Sequence, residues 1–172
     1  CSLCWKFVSA AVKVLDRALQ EDFGFRHLLW VFSGRRGVHC WVADKMARTL
    51  DNNGRSAVAG YLQLLSGGDK QRKKVFLSNH RELHPSVKKA VDLLEKDAEE
   101  LANIQGWLAD KEKIDKILEL IPDRKLRDQL RSLLLKIPPA VRWEELHFTL
   151  HSSRAALPKS CRFVWEEIVI QM

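Results

Sequence analysis

No apolar run in this sequence approaches the ~18–20 residues that span a bilayer, so no membrane partner is expected. Cysteine is scarce. Cys1, Cys4, Cys40 and Cys161 are too few and too scattered over 172 residues for a disulfide scaffold, and a reducing compartment fits better. Only eight glycines and five prolines occur, against six tryptophans and seven phenylalanines. That balance excludes a collagenous repeat and a disordered chain. No internal repeat of fixed period and no basic-then-apolar leader segment is present. The chain opens at Cys1 without an initiator methionine and stops at Met172 inside an apolar stretch, which leads us to expect an internal piece of a longer protein.

The residues present suit a globular protein, with a hydrophobic fraction of 46% and a charged fraction of 30%. The net charge of +7 suggests an anionic partner and says nothing about fold. Its distribution is uneven: residues 1–66 carry +4, 67–89 carry +5, 90–120 carry −5 and 121–172 carry +3. The step follows the pair Gly67-Gly68 and the basic run Lys70-Gln71-Arg72-Lys73-Lys74, a composition that reads as a loop between subdomains. The expected layout is an α/β part at 1–66, a basic connecting loop at 67–84, a helical subdomain at 85–162, and at 163–172 the start of an element returning to the first part. The fold class expected is α+β and mostly helical, with an all-α subdomain after the α/β fragment.

Val8, Val12, Leu15 and Leu19 recur at three and four, the spacing of one helix face, and Gly24 is placed to end that helix left-handed. Leu28-Leu-Trp-Val-Phe32 and Val38-His-Cys-Trp-Val42 are short, β-branched and aromatic, and they flank a glycine-bounded turn, predicting two paired strands. Asp44 and Asp51 suit helix caps or solvated positions. After the boundary, Pro85 opens a helix with Val87, Val91, Leu94, Ala98 and Leu101 on one face. Further helices carry Ile114 to Ile121, Leu126 to Leu134, and Trp143, Leu146 and Leu150, with Pro122, Pro138-Pro139 and Pro158 as stops.

The turn Ser33-Gly34-Arg35-Arg36-Gly37-Val38-His39 is the sharpest chemical feature. Two adjacent guanidiniums present ten N–H donors in rigid forks, the geometry that grips phosphate oxygens. Flanking glycines allow a tight turn, Ser33 adds a hydroxyl, and His39 adds a donor at the start of the next strand. The competing reading is a solvated basic turn. His147 and His151, four apart on one helix, share a face that could hold a metal, but no acidic or cysteine partner stands at a convincing spacing. His80 and His84 flank the basic loop as polar loop residues. Cys40, between strand residues, is expected to be buried, and a nucleophile there would need an activating base. The six tryptophans fall at core-like positions. The 70–74 run reads as a solvated loop or a phosphate contact. Cys1-x-x-Cys4 alone is half of a four-ligand metal site.

The stretch Trp30-Val-Phe-Ser-Gly-Arg-Arg-Gly-Val-His-Cys-Trp-Val-Ala-Asp44 resembles the signature of the small, catalytic subunit of eukaryotic-type DNA primase, in the archaeo-eukaryotic primase superfamily. The likeness extends to Cys-x-x-Cys-Trp and to Asp16-Arg-Ala-Leu-Gln-Glu-Asp-Phe-Gly-Phe25, and more loosely to the helical part. Ala43 stands where the family usually has cysteine. The resemblance implies that residues 1–66 are part of a primase catalytic domain and that Ser33, Arg35, Arg36 and His39 hold the triphosphate of an incoming ribonucleotide. It implies a structural zinc to which Cys1 and Cys4 contribute two ligands, and catalysis by paired Mg2+ or Mn2+ ions on three aspartates. No Asp-x-Asp occurs in the sequence, so no catalytic residue is expected within this chain, which alone is expected to be inactive. The implied partners are ribonucleoside triphosphates, a single-stranded DNA template with its RNA primer, a large primase subunit and the DNA polymerase alpha complex, in the nucleus. Two other readings stay open: a non-catalytic phosphate- or nucleic-acid-binding module, and a helical interaction scaffold.

Overall fold

The computed structural model describes residues 2–35, 37–63, 77 and 82–171, with 2–4 and 171 given as backbone alone. The chain divides into two compact units, Cys1–Leu64 and Leu65–Met172.

The first unit begins with α1 (Ser2–Glu21). Its stripe of Val8, Val12 and Leu15 is half-buried, and Leu19 is buried. Gly24 adopts φ 71°, and the helix closes as expected, the Gly24 N–H donating to Gln20 O at 3.1 Å and the Phe25 N–H to Leu19 O at 3.0 Å. The predicted strands follow as β1 (Leu28–Phe32) and β2 (Val38–Val42). They pair antiparallel, with Leu28 opposite Val42 and Phe32 opposite Val38. The pleat sends alternate side chains to opposite faces. Leu28, Trp30, Val38, Cys40 and Val42 are half-buried, while Leu29, Val31, His39 and Trp41 are exposed. On the buried side the Trp30 indole N–H donates to Asp16 Oδ1 at 2.7 Å, and Gln20 Nε2 donates to the other carboxylate oxygen at 2.6 Å, so α1 and β1 are tied by a polar contact as well as by packing. The unit ends with α2 (Lys45–Arg48) and α3 (Asn52–Leu62). Asp51 caps α3, accepting from the Gly54 N–H at 2.7 Å.

The second unit is all helical among its described residues. It contains α4 (Pro85–Gln105), α5 (Lys111–Leu118), α6 (Arg124–Lys136), α7 (Arg142–His147) and α8 (Val164–Gln171), with a π turn at Phe148–Ser152 continuing α7. Pro85 occupies the first turn of α4, the His84 ring accepts from the Ser86 N–H at 3.3 Å, and Asp110 and Asp123 cap α5 and α6. Ile114, Ile121, Leu134, Leu146, Leu150 and Trp165 are fully buried in one core. The segment 163–172, set apart by the sequence reading, contributes Val164, Trp165, Ile168 and Val169 to this core, and α8 packs on α4. A buried arginine holds the helix connections together. Arg142 donates from Nη1 to Leu108 O at 2.6 Å and Ala109 O at 2.8 Å, and from Nε to Ile137 O at 3.2 Å.

The class is therefore α+β and mostly helical, with one two-stranded antiparallel sheet among the described residues. No helix of the described residues is long and apolar enough to cross a membrane. The expected boundary at 67–74, its basic run and His80 lie outside the described residues. The tryptophans divide. Trp143 and Trp165 are core, but Trp5 is 46% and Trp41 66% exposed, because the pleat puts residue 41 on the sheet face turned away from α1.

Candidate functional site

The Ser33–Gly37 turn is closed by two hydrogen bonds within one pair of residues. The Ser33 N–H donates to Gly37 O at 2.8 Å, and the Gly37 N–H donates to Ser33 Oγ at 3.1 Å. Gly34 sits at φ 80°, left-handed backbone that a side chain would strain. Arg35 is exposed at the tip. His39 is exposed on β2 opposite Val31, and alternation along the hairpin places Ser33 on that same face. Ser33, Arg35 and His39 thus gather at the tip and outer face of one short, hydrogen-bonded hairpin. Arg36 and Cys1 lie outside the described residues, and Cys4 is described only by its backbone in the first turn of α1.

The other end of the hairpin is fastened by a residue whose role differs from the one expected. Asp44 stands at the cap position of α2 but makes no side-chain capping bond. Its carboxylate turns back instead, accepting from the His27 ring at 3.0 Å, from the His27 backbone N–H at 2.9 Å and from the Arg26 N–H at 3.1 Å. The Ala43 N–H donates to His27 O at 2.9 Å beside it. The His27 ring, then the backbone donors, hold the Asp44 carboxyl down at about 2. Because the folded value lies below the unfolded one of about 3.9, this contribution to stability is complete above pH 4 and is lost as the pH falls through about 2. Asp44→Asn is therefore expected to lower the thermal midpoint of the first unit at neutral pH. The difference from the parent should shrink between pH 4 and pH 2 in melts followed by tryptophan fluorescence.

Cys40 is half-buried on the inner face of β2. Burial, with the nearby Asp16 charge, pushes its thiol above the usual range, which disfavours the thiolate a nucleophile needs. Asp16 is engaged by Trp30 and Gln20, Asp44 by Arg26 and His27, and Asp51 by Gly54. The described carboxylates of this unit offer no converging set for a metal pair.

In the second unit, His147 and His151 stack with ring centroids 5.0 Å apart. The acidic partner missing from the sequence reading comes from a distant helix. Glu95 of α4 brings Oε1 to 3.1 Å from His147 Nε2. No local spacing signals this, since the contact depends on α7 and α8 packing against α4.

A family model described as DNA primase small subunit matches residues 1–161. The chain is 42% identical over 142 residues to the DNA primase small subunit of Drosophila melanogaster, covering 79% of this chain and 32% of that protein. It is 39% identical over 133 residues to the Schizosaccharomyces pombe DNA primase small subunit, covering 76% and 29%, and 42% identical over 140 residues to that of Caenorhabditis elegans, covering 77% and 32%. The chain belongs to the DNA primase small subunit family. It spans about a third of the length of these relatives.

Proposed function

We propose that this chain is the triphosphate-gripping portion of a primase small subunit, serving the synthesis of short RNA primers on single-stranded DNA for replication. The carrying observation is the hairpin tip: Ser33, Arg35 and His39 are gathered on a turn closed by two hydrogen bonds, in a chain of this family. Ser33 and His39 would each supply one hydrogen bond, and Arg35 with Arg36 the charge, to the phosphates of a ribonucleoside triphosphate. The closed turn limits the entropy lost when those donors order around the anion.

A pair of Mg2+ or Mn2+ ions would supply charge neutralisation at the transferring phosphoryl group. The described carboxylates of the first unit do not fit such a pair, each being engaged in the fold, so we assign the chain no metal-dependent step. The zinc reading rests on Cys1 and Cys4 as two of four ligands. The remaining partners in our reading are a single-stranded DNA template with its RNA primer, a large primase subunit and a DNA polymerase alpha complex, acting in the nucleus.

The test is primer synthesis on a poly-pyrimidine template with magnesium and with manganese. It compares this chain with a version extended at both ends to the length of its relatives. Primers are expected from the extended protein and none from the chain alone. Metal-dependent synthesis by the chain alone would mean that carboxylates within it do the chemistry.

A further inference from the structure

We propose that Glu95, His147 and His151 form a divalent transition-metal site that ties α4 to the α7 turn of the helical unit. One ligand atom from each of the three lies within 4.8 Å of the others. Tetrahedral zinc with bonds of about 2.0–2.1 Å sets neighbouring ligand atoms roughly 3.3 Å apart. The 3.1 Å between Glu95 Oε1 and His147 Nε2 is already at that spacing, and the exposed His151 side chain can close the remainder by rotation.

Further features point to an ion. His147 Nε2 is shut off from solvent and makes no hydrogen bond among the described residues, though a carboxylate oxygen faces it. The two atoms are close but not aligned as a hydrogen bond, an arrangement that an ion ligated by both would satisfy. The Glu95 carboxylate is itself held in place, since the Trp165 indole N–H donates to the same Oε1 at 3.1 Å, the kind of support that ligating carboxylates commonly have. Trp165 also packs on the His147 ring, centroids 4.7 Å apart, fixing its plane. The two histidines are carried across a π turn, Phe148–Ser152, a distortion that recurs at functional sites.

The donor set selects the class of ion. Two imidazoles with one carboxylate suit zinc and its neighbours, whereas magnesium and calcium favour all-oxygen shells. Glu95 and His151 form part of the wall of an open pocket of about 540 Å3, so the fourth position of the ion faces solvent and takes water. Arg154, on the same wall, has its charge taken up by Glu166.

The experiment is a Zn2+ titration by equilibrium dialysis, with Co2+ absorption in parallel, on the chain carrying Cys1→Ser and Cys4→Ser so that those thiols cannot contribute. One ion per chain is expected. The cobalt spectrum should be that of a nitrogen and oxygen site without thiolate bands, and Zn2+ should raise the thermal midpoint. Both His151→Ala, at an exposed position that leaves the core untouched, and Glu95→Gln should weaken binding at least tenfold and abolish the midpoint shift. Zn2+ binding unchanged in those two variants, or absent from the parent, would show that Glu95 and His147 are a plain ion pair and overturn the assignment.

Discussion

Leu146→Asp is expected to unfold the helical unit. Leu146 has no exposed surface and belongs to the core shared by α4 to α8. An unpaired carboxylate there costs several kcal/mol, because it must either remain charged without water or take up a proton to stay buried. Whole domains are stable by only about 5–15 kcal/mol, so one such group removes most or all of the margin. The milder Leu146→Ala, which leaves a cavity, is expected to cost about 2–5 kcal/mol. Phe148, two positions on, is 59% exposed, and Phe148→Asp should change stability by no more than about 0.5 kcal/mol. Circular dichroism and urea denaturation of the three variants will separate them. Equal behaviour of Leu146→Asp and Phe148→Asp would contradict the packing.

The paired change Arg35→Ala with Arg36→Ala should produce the largest functional loss. A charge-assisted hydrogen bond from a guanidinium to phosphate contributes about 1.5–3 kcal/mol, or roughly tenfold to 150-fold in affinity for each arginine. Stability should hardly change, because Arg35 is exposed and the turn is closed by Ser33 and Gly37. In the extended protein the loss should fall on the use of nucleotide, as a raised KM, and the template affinity should be spared. A loss confined to template binding would move these arginines to the nucleic-acid backbone.

The hairpin was legible in the sequence because two β-branched and aromatic runs flank a turn bounded by glycines, the local signal of paired strands. Both strands occupy the expected residues, and Gly24 ends α1 as its position implied. Proline marked the start of α4 at Pro85 for the same local reason, whereas α5 ends at Leu118, short of the expected Ile121 and of Pro122. What escaped the sequence is whatever depends on distant packing. Asp44 looks like a helix cap, yet strand pairing brings Arg26 and His27 beside it, and three donors there outcompete the α2 terminus. Arg142 gives no sign in the sequence that it will reach the carbonyls of Leu108 and Ala109. Glu95 meets His147 only once α4 and the α7 turn are neighbours. Trp41 reads as core by composition, and strand parity alone exposes it.

An equilibrium titration decides whether the Ser33–Gly37 tip holds a triphosphate. A fluorescent ribonucleoside triphosphate and the matching nucleoside are titrated into this chain, without metal, at low and at high salt. The triphosphate should bind and the nucleoside should not. The affinity should fall steeply as salt screens the arginines, and the Arg35→Ala, Arg36→Ala variant should lose it. Equal binding of triphosphate and nucleoside, or affinity that survives in the double variant, would contradict the assignment of this turn.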